Sequence, residues 1–131
     1  MSAVFPWATA RLPKDYNYLA PDSSEIRLLP EANGGGLCHC TLPPGKVSQA
    51  MYYKTVEEIW YFISGQGQVW RKLGDKEAII DVESSICLTI PTGTHFQFCN
   101  TGNSPLCFII TTMPKWPGAQ EAVPTDGYWS S

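Results

Sequence analysis

Short apolar runs separated by closely spaced turn residues are the feature that most constrains the fold of this chain. The turn residues are mainly Gly, Pro and Asn, as in Pro43-Pro44-Gly45, Gly65-Gln66-Gly67 and Asn100–Asn103. The runs between them are rich in β-branched and aromatic side chains, which favour strands. They predict nine strands, at 25–29, 37–42, 47–54, 58–64, 67–72, 77–82, 86–90, 95–99 and 106–113. Because no segment keeps a helical period over three turns, the chain is expected to be an all-β antiparallel sandwich or barrel.

Length and composition exclude several classes of protein. The chain has 131 residues, of which 44% are hydrophobic and 16% charged, and its formal net charge is −3. This suits one folded domain and excludes intrinsic disorder. No basic stripe indicates a nucleic-acid partner, and no apolar run approaches the roughly 18 residues that span a membrane. The N-terminus lacks the apolar core of a signal peptide, so we expect a cytoplasmic protein whose Cys residues are reduced thiols.

The two ends of the chain differ from its centre. Residues 1–22 and 114–131 are rich in Pro and aromatic residues and lack a strand pattern. Large aromatic rings contribute most when they are buried, so these segments are expected to be irregular arms that lie on the barrel or on a partner subunit. The sequence therefore divides into an N-terminal arm (1–22), a barrel (23–113) and a C-terminal arm (114–131) within one domain.

Two segments carry a family resemblance. The first is Pro44-Gly45 followed by VSQAMYYKTVEEIWYFISGQGQVW, in which Glu58 and Gly65 have the spacing of a known motif. The second is IPTGTHFQFCNTG at 90–102, in which Pro, Gly and Asn fall into register with a second motif. Together they resemble the two motifs of the cupin superfamily, and in particular small bacterial single-domain cupins. The resemblance implies a double-stranded β-helix, or jelly-roll barrel, with a small-molecule site at its mouth.

The resemblance also implies a metal site of three His and one Glu, but most of that set is missing. Glu58 stands at the carboxylate position. The two His positions of the first motif fall on Met51 and Tyr53, or on Tyr52 and Lys54, depending on the spacer. Without these imidazoles the usual four-ligand site cannot form. The only cofactor that we still consider is a divalent ion held by fewer protein ligands.

The remaining His position of the motif falls on Phe96, and His95 lies one residue earlier. Neighbouring side chains on a strand point to opposite faces, so His95 and Gln97 face away from the interior if Phe96 faces inward. A β-bulge near Gly93 would reverse this arrangement. We expect His95 to reach the pocket, where it and Glu58 would be the metal ligands if a metal binds.

The carboxylate of Glu58 has two interpretations. It is either a surface group beside Glu57, or an interior group with a raised pKa that acts as an acid or base. If it is interior, we expect Glu58, His95 and Tyr53 to be catalytic. The residues expected to bind the ligand are Gln97, Trp60, Phe62, Met51 and Phe96.

Three functions follow from this set of residues. The first is an isomerase, epimerase, cyclase or lyase that acts on a sugar or carbonyl compound without a tightly held metal. The second is a cupin that binds a small ligand without chemistry, and the third is a metal-dependent, oxygenase-like cupin with few ligands. In each case the partner is a small molecule, and the resemblance further implies a homodimer.

Overall fold

The fold is described from a computed structural model, which covers residues 5–131. The N-terminal part of the expected arm, residues 1–4, lies outside the described residues. The strands are β1 (Tyr18–Leu19), β2 (Glu25–Ala32), β3 (Gly35–Leu42), β4 (Met51–Tyr53), β5 (Glu57–Ser64), β6 (Gly67–Leu73), β7 (Lys76–Val82), β8 (Cys87–Ile90), β9 (His95–Asn100), β10 (Leu106–Met113) and β11 (Ala122–Pro124). A single short 3-10 turn, Ala119–Glu121, precedes β11 in this part of the chain.

The strands form two antiparallel sheets. One has six strands in the order β1-β2-β3-β10-β5-β8, and the other has five in the order β11-β4-β9-β6-β7. All nine strands expected from the sequence are present, and the all-β fold is confirmed. The segment 47–54 is the one that differs most, because only Met51–Tyr53 forms a strand while Val47 makes an isolated bridge to Cys99.

Strand alternation builds the core between the sheets. On β5 the buried positions are Glu58, Trp60 and Phe62, and the residues between them are exposed. Trp60 packs against Phe98 and Phe108, with ring centroids 5.3 and 4.8 Å apart. These rings fill one end of the barrel, and the other end is left open as a cavity.

Parts of both arms contact the barrel in the described part of the chain, whereas the rings of Phe5 and Trp7 are exposed, contrary to the expectation that these aromatic residues are buried. In the N-terminal arm, β1 pairs with β2, and the Arg27 guanidinium donates hydrogen bonds to the carbonyls of Pro13 and Lys14. In the C-terminal arm, β11 pairs with β4, and the Trp116 ring packs edge-on against Tyr53 at 5.5 Å. The arms therefore complete the sheets at the open end of the barrel.

One glycine between β5 and β6 shows why the turn signals are needed. Gly65 has φ of +88°, in the left-handed region, and a Cβ placed there would collide with the backbone carbonyl of Pro105. Glycine meets both demands because it has no Cβ. The close approach to Pro105 brings this turn against the start of β10, the strand that pairs with β5. No helix in residues 5–131 is long and apolar enough to cross a membrane.

Candidate functional site

The open end of the barrel holds a cavity of about 640 Å³. Its floor comes from inward-facing residues near the ends of the strands, including Met51, Glu58 and Phe96. Its outer walls come from the arms, with residues 18–22 on one side and Trp116 on the other. Most of the lining is aliphatic or aromatic, and such a cavity with a few convergent polar groups is typical of a small-molecule site.

Glu58 is the polar group at the base of this cavity. Its side chain is only 4% exposed, so Glu58 is an interior group and not a surface group beside Glu57. The Trp60 indole Nε1 donates a hydrogen bond to Oε1 at 2.9 Å, and the Thr112 hydroxyl donates one to Oε2 at 2.6 Å. Thr112 lies opposite Glu58 in the pairing of β10 with β5, so sheet register fixes this contact.

The environment shifts the pKa of Glu58 into the neutral range. Burial removes water from the carboxylate and raises its pKa from 4.5 to about 7, a rise that the charge of Asp22 increases slightly. The hydrogen bonds from Thr112 and Trp60, and a weaker interaction with the Tyr53 hydroxyl, act in the opposite direction. A group with this pKa is partly ionised at pH 7 and can both accept and return a proton.

Tyr53 is the second group of the expected catalytic set that lies at the cavity. It is 7% exposed, and burial together with the negative charge of Glu58 raises the pKa of its phenol well above the ordinary value. The hydroxyl therefore keeps its proton throughout the neutral range and acts as a donor. Its ring packs against Phe96 at 5.0 Å and against Trp116 at 5.5 Å, which holds the hydroxyl beside Glu58.

A second buried carboxyl group lines the cavity and was not expected from the sequence. Asp22, at the end of the N-terminal arm, is 7% exposed, and both the amide and the hydroxyl of Ser24 donate hydrogen bonds to its Oδ1. Burial raises the pKa of Asp22, and the Ser24 hydrogen bonds partly oppose this rise. The site thus holds two carboxyl groups from distant parts of the chain.

The expectation that His95 reaches the pocket is wrong. His95 does not line the cavity; its ring stacks on Tyr52 at 5.0 Å, and its Nδ1 lies 3.3 Å from the Thr125 hydroxyl. The pairing of β6 with β9 runs without a register shift from Gly67 to Lys72, so no bulge rotates the strand. Phe96 keeps the inward position, and His95 falls on the outer face by simple alternation.

Gln97 shares that outer face and has a different role from the one expected. It is 1% exposed but lies under the C-terminal arm, not at the cavity. Its amide nitrogen donates to the carbonyls of Ser48 and Trp129, and its carbonyl accepts from the amides of Tyr128 and Trp129. Gln97 is therefore the anchor of the C-terminal arm.

The five residues expected to bind a ligand separate into three groups. Met51 and Phe96 line the cavity, and their role in binding a ligand stays a prediction. Trp60 and Phe62 face the interior but lie deeper, in the aromatic core, so they do not form its wall. Trp60 acts on the site through its hydrogen bond to Glu58, and Gln97 does not reach the site. The length of β5 explains this depth, because each step of two residues moves a side chain further from the mouth.

The donor atoms at the cavity do not fit the divalent ion that a cupin implies. Met51, Tyr53 and Phe96 stand where imidazoles would be needed. Trp60 and Thr112 already take one direction on each oxygen of Glu58, so this carboxylate offers an ion only the remaining directions and cannot replace the missing imidazoles. In residues 5–131, no three side chains of His, Cys, Asp or Glu are close enough together to hold a metal.

Three residues at the site were missed by sequence reasoning, although signals for two existed. Thr112 follows Phe108 and Ile110 at every second position of β10, so alternation alone would have placed it inside. Asp22-Ser23-Ser24 is a sequence in which Asp accepts a hydrogen bond from the second residue after it, as in an Asx turn. Nothing local to Trp116 indicated that its arm crosses the cavity.

Comparison with known proteins supports the fold. No protein-family model and no curated protein matches the sequence. Among solved structures, the capsular polysaccharide assembling protein CapF from Staphylococcus aureus matches with a TM-score of 0.67 and 17% identity, over 81% of this chain and 33% of CapF. A protein with a double-stranded beta-helix domain from Klebsiella pneumoniae matches with a TM-score of 0.63 and 15% identity, over 79% of this chain and 85% of that one.

The cupin domain of Schizosaccharomyces pombe Cnp3 matches with a TM-score of 0.62 and 13% identity, over 70% of this chain and 64% of that domain. The chain spans about a third of the length of CapF. Sequence identities this low establish architecture and leave activity open. With two antiparallel sheets closed around a cavity and neighbours of this kind, the chain has the jelly-roll fold of the cupins.

Proposed function

We propose that this protein is a proton-transfer enzyme, an isomerase or lyase, that acts on a small carbonyl compound with a largely apolar body. The observation that carries the proposal is a buried carboxyl group with a pKa of about 7 at the base of an apolar cavity. Strongly perturbed pKa values in a cleft are characteristic of catalytic acids and bases. Glu58 is the proposed base.

The hydrogen bonds to Glu58 hold it in place without exhausting its capacity to accept. Each oxygen of a carboxylate has two lone-pair directions. Trp60 uses one direction at Oε1, and Thr112 uses one at Oε2. Acceptor capacity remains toward the cavity, where a substrate C–H bond would be directed.

The chemistry starts with Glu58 ionised. Its carboxylate removes a proton from the carbon next to the substrate carbonyl; the electron pair of that C–H bond forms a C=C bond, and the π pair of the carbonyl moves onto its oxygen. The Tyr53 phenol, which stays protonated, donates a hydrogen bond to the resulting oxyanion. Because neutral Glu58 is a weaker acceptor than the carboxylate, the Tyr53 hydroxyl is released toward the oxyanion as the proton moves.

Glu58 then returns the proton. Return to the same carbon after the enolate has turned over gives epimerisation, and in a β,γ-unsaturated ketone return to the γ-carbon gives isomerisation as the double bond moves into conjugation. If a neighbouring carbon carries a leaving group, its departure with the electron pair gives the lyase reaction. The aliphatic and aromatic walls favour a ketone or aldehyde over a sugar, whose many hydroxyl groups would lose hydrogen bonds to water in this cavity.

Binding without chemistry is the second candidate. It is favoured by the small number of polar groups in the cavity and by the hydrogen bonds that keep Glu58 occupied. A pocket that only stores an apolar ligand needs few polar contacts. The two functions differ in whether protons exchange at the bound molecule.

Hydrogen exchange at carbon tests the proposal without knowledge of the substrate. The protein is incubated in D₂O with a panel of apolar ketones, namely indanone, β-tetralone and cyclohexenone, and deuterium incorporation is followed by NMR. We expect wild-type protein to accelerate exchange of at least one ketone over buffer. We expect Glu58→Gln to lower this rate by about 100-fold or more, the usual contribution of a positioned base.

The matched control is Glu57→Gln, on the same strand. Glu57 is exposed and points away from the interior, so its substitution removes the same charge without touching the cavity. It should leave exchange within about twofold of wild type, as is usual for exposed sites remote from the chemistry. Exchange that survives Glu58→Gln, or a panel that never exchanges faster than in buffer, would refute the proposal; ligands that bind without exchange would favour the second candidate.

A further inference from the structure

The cavity carries an unbalanced set of charges. Three of its lining residues, Asp22, Glu31 and Glu58, have carboxyl groups. Among the described residues that line it, none is Lys, Arg or His. Opposite charges attract strongly where water is excluded, so the sign of the lining selects the sign of the ligand. A phosphate or carboxylate would be repelled, and a cation would be attracted.

The two buried carboxyl groups lack a counter-ion in the described part of the chain. The groups that act on Glu58 and Asp22 are neutral donors and, for Glu58, also the charge of Asp22, and no cationic side chain is among them. Burying an ionised carboxyl group without a cation is unfavourable, and a cation from outside would relieve that cost. The positive group of a ligand in the cavity would therefore stabilise the ionised form of these carboxyl groups.

Asp22 is the better placed of the two to hold a cation. Trp60 and Thr112 occupy one direction on each oxygen of Glu58, whereas both hydrogen bonds from Ser24 reach the same oxygen of Asp22, Oδ1. Oδ2 of Asp22 is therefore the oxygen that is left for the cavity. The carboxyl group itself is held by a tight turn, in which the Ala20 amide donates a hydrogen bond of 2.8 Å to the Ser24 carbonyl.

The rest of the lining is compatible with an organic cation. The rings of Tyr18, Tyr53, Phe96 and Trp116 line the same cavity. The faces of such rings attract an ammonium group, and their apolar surface accommodates the hydrocarbon attached to it. An inorganic ion would also be attracted to the ring faces, but it has no hydrocarbon to place against the apolar surface.

We propose that the cavity binds an apolar amine in its protonated form, with Asp22 as the counter-ion of the ammonium group. The proposal uses the same cavity as the proposed function and narrows its substrate class. Under both proposals the substrate is a carbonyl compound that also carries an amine, with the carbonyl near Glu58 and Tyr53 and the ammonium at Asp22.

Three probes with one apolar body separate the effect of charge from that of shape. Phenylpropylamine, phenylpropanol and phenylpropanoate present a cation, a neutral group and an anion, and their binding to the full chain is measured by calorimetry. We expect the amine to bind about tenfold or more tightly than the alcohol, in line with a charge-assisted hydrogen bond. The carboxylate should bind most weakly.

Variants then assign the selectivity to one residue. Asp22→Asn keeps Oδ1 as an acceptor for Ser24 but removes the charge, and it should abolish the advantage of the amine over the alcohol. The control Asp75→Asn removes a charge from the exposed turn between β6 and β7 and should change nothing. A carboxylate that binds as tightly as the amine, an amine that does not bind, or an advantage that survives in a folded Asp22→Asn protein would overturn the proposal.

A pH series on wild-type protein keeps the test decisive if Asp22→Asn does not fold. Burial raises the pKa of Glu58 to about 7, so the cavity gains negative charge as the pH rises from 5 to 8, and burial also raises the pKa of Asp22 above its ordinary value. The amine should bind about threefold or more tightly at pH 8 than at pH 5, while the alcohol should not gain. The other titratable groups near Asp22 stay protonated in this range because burial raises their pKa: Tyr18 on the N-terminal arm, Cys38 and Cys40 on β3, and Tyr53 on β4. An amine affinity that is flat in pH would overturn the proposal.

The two proposals fail in different measurements. Selective binding of the amine without ketone exchange would leave this inference standing and refute the proposed enzyme. Ketone exchange that depends on Glu58, together with tightest binding of the carboxylate probe, would support the proposed enzyme and refute this inference.

Discussion

The buried carboxyl group of Glu58 makes a measurable prediction about stability. Its pKa is about 7 in the folded protein and should be near its ordinary value of 4.5 in the unfolded chain. Below pH 4.5 both states hold the proton, so the group costs nothing. Between pH 4.5 and 7 the folded state binds more protons than the unfolded state, so stability falls as the pH rises.

The size of this fall follows from the pKa values. The step from 4.5 to about 7 corresponds to about 3 kcal/mol of unfolding free energy, since one pKa unit is worth about 1.4 kcal/mol. The penalty is complete above pH 7. Glu58→Gln removes the titrating group and keeps its shape, and its amide can still accept from Trp60 and donate to Thr112.

The assay compares the unfolding free energies of wild type and Glu58→Gln. Urea unfolding is followed by tryptophan fluorescence at pH 5, 6, 7 and 8 under reducing conditions. We expect the stability of Glu58→Gln relative to wild type to increase by about 2 to 3 kcal/mol across this series. Other titrating groups, including Asp22, are present in both proteins, so most of their contribution cancels in the difference.

Glu57→Gln again serves as the control, because Glu57 is exposed and its substitution leaves the buried carboxyl group of Glu58 in place. A Glu58→Gln difference that changes by less than about 0.5 kcal/mol from pH 5 to 8 would refute the reasoning. It would mean that the carboxyl group titrates near its ordinary value, and Glu58 would lose its proposed role as a base with a neutral pKa.

Three further predictions concern the framework of the site. Glu121 is 4% exposed and accepts hydrogen bonds from the amides of Thr55 and Val56 and from the Thr55 hydroxyl. Glu121→Ala should lower the free energy of unfolding, measured with urea, by about 2 to 4 kcal/mol. A loss below about 0.5 kcal/mol would contradict this. Gln97→Ala should speed amide hydrogen exchange at residues 128–129 about tenfold or more, because the Gln97 carbonyl accepts from both amides. Ligand binding in the cavity should not change. Unchanged exchange at residues 128–129 would show that Gln97 does not hold the arm. Gly65→Ala should lower the free energy of unfolding by more than about 3 kcal/mol. Gly45→Ala is the control: Gly45 also has a positive φ but has open space around it, so its loss should be about 1 kcal/mol. Equal losses would rule out the collision with Pro105.

The sequence by itself determined the architecture. Turn residues and runs of β-branched and aromatic residues located all nine main strands, because strand periodicity and turn chemistry are local properties of the chain. The spacing of Glu58 and Gly65 in one segment, and of Pro91, Gly93 and Asn100 in the other, identified the cupin fold. Alternation along β5 also grouped Glu58 with Trp60 and Phe62 on one face.

The tertiary structure decided which polar groups share the cavity. His95 lies next to an inward-facing residue, and whether a bulge rotates β9 depends on its pairing with β6, so the sequence did not settle its direction. Asp22 and Thr112 are 36 and 54 positions from Glu58 in the sequence, and only sheet pairing and the path of the N-terminal arm bring them to the same site.

The pKa of Glu58 shows the same division. The residue type and its place in the motif follow from the sequence, but the shift depends on burial, which is a property of every element that closes around the carboxyl group. Local patterns thus determine strands and turns, whereas charge, solvation and chemical role depend on contacts between residues that are far apart in the chain.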